Sequence, residues 1–575
     1  MGQDFSAEIE IGSEVVEKQP SVIETIAYND TWGRGIDSYN AMMLERIIII
    51  HSLLASNGSM FLHCDWRISA HLRLILDDVF GKQNFRNEIY WYYYNKMPDT
   101  RKGVFPRATD TIFWYVKDRN AAYHFEPLTE KREKAVKQLA RVKVGGRMIN
   151  ARDEHGNIIY NERDERVVDN VWRLSMLQPA DKTENLNYAT QKPEHLIERV
   201  LSACSQDGDL VADFFCGSGT TMAIAEKLGR KWIGCDLGRF AIHTARKRLI
   251  GVQREMKTAG KPYRSFEILN LGKYERQYFA GLDPTLPEEE RRALSVQKEE
   301  HYITLILMAY KAERVFQSPP FHGRKGSTFV IVGPLDAPVT RFQIEEAVEA
   351  CRKLKASRLD VLGFEFEMGV SPQCVDEAKS KGVSLALRYI PKEVFDKRAV
   401  DKNQVVFYDV AYVEAQPVVK GRKVTVKLKD FGVSYRQDDV DTLAGEMKAG
   451  TKVTIADGQV IKITKDKDGI VSREVLTKKW EDWIDYWAVD FDFARRPETI
   501  VVTLPDATGR MVERPQRTGG YIFENEWQSF RTRRDRRLEL ESAPYEYAAK
   551  GKYKIAVKVI DIFGNDTTKV IEVSV

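Results

Sequence analysis

A chain of 575 residues is too long for a single hydrophobic core, so three to five domains are expected. Its apolar fraction of 43% is that of globular protein, and no run approaches the ~18 apolar residues of a membrane span. The net charge is only +4, so any affinity for nucleic acid must come from local patches. The acidic, polar N-terminus does not have the pattern of a secretory signal, and Met1-Gly2 with Ser6 meets the short myristoylation pattern only loosely. Cys64, Cys204, Cys216, Cys235, Cys351 and Cys374 show neither metal-like nor disulfide-like spacing, and are expected to be reduced thiols of a cytoplasmic protein.

Residues 36 to 80 read as helix, strand, helix. Met43, Ile47, Ile50 and Leu54 have helical spacing, Asn57-Gly58 ends that helix, Met60 to His63 is a short buried strand, and His71 to Phe80 is an amphipathic helix closed by Gly81. This alternation predicts parallel strands with helices on the faces of a sheet. Residues 86 to 185 change character and are rich in aromatic and basic side chains. Trp91, Tyr92, Lys96, Arg101, Lys102 and Arg107 interleave rings with cations, a set able to neutralise phosphates and stack on bases. A strand with half its rings buried accounts equally well for Trp91 and Tyr93. Lys131 to Arg147 reads as a basic helix and turn suited to backbone contacts.

The α/β pattern returns with a helix over 193–204, a strand over 210–215, a helix over 220–228, a strand over 231–235 and a helix over 239–249. Leu210 to Leu237 carries the strongest signal: an apolar strand ends at Asp213, Cys216-Gly217-Ser218-Gly219 turns, and Thr220 opens a helix. A second strand ends at Asp236, 17 residues past Gly219. The glycines let backbone approach a ligand, and a carboxylate at the next strand end suits a ribose diol. The turn is shorter than the six-residue dinucleotide fingerprint, which favours S-adenosylmethionine over NAD.

Downstream, residues 273–300 read as a charged linker and 301–400 as a small α/β module, with strands near 328–332, 359–366 and 383–389. From about 403 the pattern is β-rich, divided here into 401–470 and 471–575. Asp336, Glu365 and Glu367 lack the lysine a nuclease would need, since Gly369 stands at its place, so the module is expected to be structural or to dock a subunit. Arg531 to Arg537 beside Trp527 is by default a solvated loop.

Asp213 to Thr221 (DFFCGSGTT) resembles the cofactor motif of DNA amino-methyltransferases, and Tyr188 to Glu194 is similar to the TQKP motif that precedes it in the β-ordered group. Tyr28 to Trp32, Gly58 to Trp66, Asp78 to Glu88 and Thr109 to Lys117 resemble the catalytic half of type III modification subunits, although relatives often carry His where Thr109 stands. The resemblance covers roughly residues 1–270. It implies a Rossmann-like, circularly permuted methyltransferase fold, with a catalytic half at 1–85, a target-recognition region at 86–185 and a cofactor half at 186–272.

By the same resemblance, Asp213, Phe215, Gly217, Gly219, Thr220 and Thr221 would surround the methionine part of S-adenosylmethionine. Asp236 would hold the ribose, and Lys192 with Pro193 would lie beside the carboxylate end. The implied activity is methylation of an exocyclic amine in duplex DNA, adenine N6 before cytosine N4. A restriction subunit and a second copy are the implied partners. The group's Pro-Pro-aromatic tetrapeptide is expected before residue 28, and nothing there matches. The expectation is that the motif and its strand lie upstream of Met1, and that the chain as it stands has little activity. Ser318-Pro319-Pro320-Phe321 matches by letters but follows a helical pattern at Ile303 to Phe316, and reads as a helix stop. A non-catalytic DNA-recognition subunit is the rival reading. The last 35 residues resemble the closing strands of PKD-like β-sandwiches.

Overall fold

The computed structural model describes residues 7–575 except 12–13, 19–34, 99–102, 270–286, 367–371, 396–399, 401–404, 410–411, 433–446, 457–458, 506–509, 533–534 and isolated positions. The expected motif at Tyr28 to Trp32, and Arg101, Lys102, Asp336 and Glu367, therefore lie outside the described residues. The chain forms two compact units. One holds residues 27–237 and 241–264, the other 1–26, 238–240 and 265–575. No helix among the described residues is long and apolar enough to cross a membrane.

In the first unit, α1 (Ile36–Leu53) and α2 (Ser69–Phe80) lie on the strands β1 (Ser59–Cys64), β2 (Phe85–Tyr92) and β3 (Thr109–Val116). Met43 and Ile47 recur at a spacing of four, as do Leu72, Leu76 and Phe80. These residues meet Met60, Cys64, Phe113 and Tyr115 in one core. Full burial of a side chain such as Leu76 contributes about 1.5–3 kcal/mol. Gly81, at φ +84°, ends α2 in a conformation that other residues rarely adopt. Strand β3 is antiparallel to both β1 and β2.

The next segments are strands, not the helix expected at Lys131 to Arg147. β4 (Thr129–Leu139) continues into β5 (Arg141–Val144), which turns back as β6 (Arg147–Asn150). β7 (Tyr160–Val167) then returns along β4. Lys, Glu, Gln and Ala favour helix locally, but pairing with β7 overrides that preference. β8 (Val171–Arg173) runs parallel to β2, giving the order β8-β2-β3-β1.

α3 (Glu194–Cys204), β9 (Leu210–Asp213), α4 (Thr220–Lys227), β10 (Lys231–Gly234) and α5 (Arg239–Thr258) follow at nearly the expected positions. β9 and β10 are parallel. Val211 and Trp232 pack on Leu201, Ile224 and Ala225, whereas Leu210 and Ile233, on the opposite face, are exposed. Among the described residues β1 pairs only with β3, and β9 only with β10, so each has one unpaired edge.

The second unit differs from the expected linker, because α6 (Glu288–Tyr310) is helical from residue 288 onward. Its apolar end, Tyr302 to Tyr310, packs under a six-stranded sheet built around the parallel strands β11 (Thr328–Val332), β12 (Arg358–Gly363) and β13 (Ser384–Tyr389). Ser318 to Phe321 follows a two-residue strand, Glu313–Arg314, and its prolines form a turn. Phe321 is 4% exposed in the core beside Ile331, Ile344 and Leu359, so its ring is committed to packing.

The β-rich remainder has one core across the expected boundary at 470. β14 (Tyr412–Lys420) and β15 (Lys423–Gly432) pair with each other. They share that core with β16 (Ile484–Asp490), β19 (Lys552–Asp561) and β20 (Asp566–Ser574). β17 (Trp527–Phe530) completes the sheet β17-β16-β19-β20, and β18 (Tyr545–Glu546) adds to β15.

Candidate functional site: a glycine turn between two parallel strands

The turn after β9 is held by hydrogen bonds from its own neighbours. The Asp213 carboxylate accepts from Thr221 Oγ1 at 2.6 Å and from the Phe215 amide at 3.1 Å. Backbone bonds from Cys235 to Asp213 (2.8 Å) and from Cys216 to Cys235 (3.0 Å) carry the ladder past the strand ends. The Gly217 amide then donates to Asp236 Oδ2 at 2.9 Å. Carboxylate, glycine turn and helix start are thus one fixed object at the carboxyl ends of two parallel strands, where ligands of such sheets lie.

Two glycines are demanded here. Gly217 has φ +49°, and a Cβ there would approach the Tyr188 ring at 3.1 Å. Gly219, at φ +78°, is the N-cap of α4, and a Cβ would lie 2.8 Å from that of Ala245. Close helix packing and backbone access both depend on the missing side chains.

The segment before α3 is fastened to the turn. Gln191 binds the Glu184 carbonyl and the Leu186 amide and so closes its own loop. The Thr220 hydroxyl donates to the Lys192 carbonyl at 3.2 Å. Pro193 caps α3, where its missing N–H costs nothing. Buried Arg248, on α5, donates to Thr220 Oγ1 at 2.8 Å and to Glu194 Oε1 at 2.9 Å, and Lys227 closes on Glu194 Oε2 at 2.7 Å. Arg248 was not legible in the sequence, because its partners are 28 and 54 positions away.

Lys192 and Pro193 therefore stand beside the turn, as do Asp213, Gly217, Gly219, Thr220, Thr221 and Asp236. Phe215 is 53% exposed at its rim. Desolvation lowers the Lys192 ammonium from its usual range, with the Asp110 carboxylate opposing that shift. Asp110 also bonds His63 Nε2 at 3.1 Å. Burial lowers the His63 imidazole from its usual value, with the Asp110 hydrogen bond opposing that shift.

The DNA-contact residues fare unevenly. Trp91 is 4% exposed and donates its indole N–H to the Leu174 carbonyl at 2.9 Å. It is a core residue and not a contact surface, a correction to the expectation above. Tyr92 and Lys96 are exposed. The Arg107 guanidinium lies 3.8 Å from the ring centroid of Trp66, which is 50% exposed. Trp66 had no periodic signal to mark it.

Residues 15–247 match the family model described as DNA methylase. This part of the chain resembles DNA methylases. It is similar to the Type II methyltransferase M2.DpnII of Streptococcus pneumoniae, 31% identical over 163 residues, or 28% of this chain and 50% of that protein. It is similar also to the Type II methyltransferase M1.MboII of Moraxella bovis, 31% identical over 165 residues, covering 28% and 61%. The chain spans about half to three-fifths of the length of these curated relatives. Among solved structures, a complex of M1.HpyAVI with SAM aligns with 36% of this chain and 83% of its own, at 25% identity and a TM-score of 0.26. The relatives named are type II enzymes, so the finer likeness to type III modification subunits rests on sequence motifs alone. Most of the matched residues lie in the unit that carries the glycine turn.

Proposed function

We propose that the chain binds S-adenosylmethionine and serves DNA methylation in a restriction–modification system, acting on the exocyclic amine of adenine in duplex DNA. The observation that carries this reading is the Asp236–Gly217 bond, which fixes a ribose-binding carboxylate against a turn too tight for side chains. The residues fit the group: a carboxylate for a diol, bare backbone for close approach, and a cation at Lys192 for a carboxylate end. When bound, S-adenosylmethionine supplies the electrophilic methyl carbon. Asp236 and the turn orient it, and Phe215 offers an apolar rim. An exocyclic amine is a weak nucleophile because its lone pair is delocalised, so alignment matters more than a strong base.

A second reading, a chain that binds cofactor and DNA without methylating, is favoured by one observation. The single Pro-Pro-aromatic tetrapeptide of the sequence, Ser318 to Phe321, spends its ring in a core of the other unit. Transfer of labelled methyl groups to mixed-sequence duplex DNA separates the two. Incorporation that Asp236→Ala abolishes establishes the first reading. Cofactor and DNA binding without incorporation establishes the second, and binding of neither overturns both.

A further inference from the structure

We propose that the amino-end rim of the parallel sheet in the second unit, built on β11, β12 and β13, holds the phosphate backbone of duplex DNA. The proposal rests on the DNA-methylating reading, but its residues lie outside the unit that carries the glycine turn. Two further helices connect these strands, α7 (Arg341–Lys353) and α8 (Pro372–Ser380). Because β11, β12 and β13 are parallel, each helix runs back against them and ends where the next strand begins. The short strand Gly323–Lys325 is antiparallel to β11 and pairs Lys325 with Thr328, so its tip lies at the same end.

The three stretches that reach this rim contain no Asp or Glu. Residues 314–335 bring Arg324 and Lys325, residues 350–359 bring Lys353, Lys355 and Arg358, and residues 378–392 bring Lys379. All six are exposed, and among the described residues none is in an ion pair. The nearby acids are engaged: Glu349 takes Arg352 and Lys381, and Asp360 accepts the Tyr310 hydroxyl at 2.6 Å. The Lys325 ammonium stands 4.2 Å from the Tyr310 ring centroid. Burial first and Arg388 second lower it from its usual range, with Asp360 opposing and Lys311 adding to the shift. Like charges so concentrated repel one another, and a polyanion relieves that repulsion.

Cations in the last turn of a helix also complement its dipole, which accounts for Lys353 and Lys379. It does not account for Arg324, Lys325 or Arg358, which lie on strands. The shape agrees with the charge. Gly323–Lys325, β11, β12 and β13 are neighbours in the sheet, and four strands at ~4.8 Å spacing span about 14 Å. A rim of that width reaches phosphates on both sides of a major groove ~12 Å wide. Ser327, Ser357 and Ser384 are exposed between the cations, and such hydroxyls bond phosphate oxygens. Contacts of this kind fix position without reading bases, so the rim holds DNA and does not select its sequence.

The test uses the full chain and a mixed-sequence duplex. Free and DNA-bound chains are acetylated, and their lysines are read by mass spectrometry. DNA is expected to protect Lys325, Lys353 and Lys355, while Lys420 and Lys552 of the same unit react as in the free chain. This measurement needs no variant, so it decides even where a substitution disturbs folding. In anisotropy titrations across a potassium chloride series, Lys325→Gln/Lys353→Gln/Arg358→Gln is expected to bind at least roughly tenfold more weakly and to lose about 2–3 from the slope of log K against log salt, at ~0.9 per phosphate contact. Lys420→Ala/Lys550→Ala/Lys552→Ala removes the same charge elsewhere and keeps the slope. The urea midpoint and calorimetric titration with S-adenosylmethionine are unchanged in both. Equal labelling with and without DNA, or an unchanged slope in the first variant while the wild type binds DNA, overturns the rim and leaves the methylating reading standing. A slope lost equally by both variants also overturns it, since net charge and not this surface would then be at work. Failure of the wild type to bind either S-adenosylmethionine or DNA overturns the methylating reading and the rim with it.

Discussion

Asp236 accepts the Gly217 amide at 2.9 Å, so the carboxylate at the end of β10 also shapes the turn at the end of β9. Replacing Asp236 with Ala removes the proposed ribose acceptor and one support of the turn together. Calorimetric titration with S-adenosylmethionine should show affinity reduced by roughly 1–3 kcal/mol, the scale of lost hydrogen bonds to a charged group. Equal affinity would remove Asp236 from the site.

Arg248 joins α5 to the turn and to α3 through Thr220 and Glu194, with its side chain only 5% exposed. Arg248→Met keeps the bulk but takes one bond each from Thr220 and Glu194, which retain Lys192 and Lys227, at a cost of roughly 1–3 kcal/mol in urea unfolding. Arg248→Lys recovers only part of this, because a single ammonium nitrogen does not span the two acceptors that Nη1 and Nη2 reach separately. A fully stable Arg248→Met chain would show that the network does not hold the turn.

Trp66 and Arg107 form an exposed stacked pair in the half of the unit where DNA is expected. Trp66→Ala should weaken duplex binding by about 1–3 kcal/mol, the value of one stacked base, with little change in salt slope. Unaltered affinity would make this pair a surface ornament of the fold.

Asp490 is 2% exposed, and burial raises its carboxyl from 3.8 to about 6, against hydrogen bonds from the Asp492 and Glu524 amides. The folded state thus binds the proton more tightly than the unfolded state. The stability this contributes is fully present below about pH 3.8 and is lost as pH rises through about 6. Asp490→Asn should abolish that decline in the pH profile of unfolding, while its amide nitrogen gives up one of the two backbone bonds that the carboxylate accepts. Parallel pH profiles for variant and wild type would refute the assignment.

Much of the cofactor half was legible in the sequence. There, strand, turn and helix follow one another within a few residues, and glycines mark backbone that no side chain could tolerate. Legibility failed where distance or context decided. Lys131 to Arg147 consists of helix formers and becomes strand only because β7, some 25 residues on, supplies a ladder. Trp91 looked like a contact because aromatics beside cations are ambiguous, and only its indole bond to Leu174 places it inside. The division at 470 followed composition, whereas Val424, Val426 and Phe431 pack with Trp487, Ile555 and Val573.

That shared core sets an order of events during synthesis. β14 and β15 leave the ribosome more than a hundred residues before β19 and β20, and Val575 itself bonds Gly551. Their apolar faces must wait for β19 and β20, so this closure has high contact order and is slow by nature. Nascent chains stalled or cut before residue 550 would present Val424, Val426 and Leu428 to chaperones and proteases.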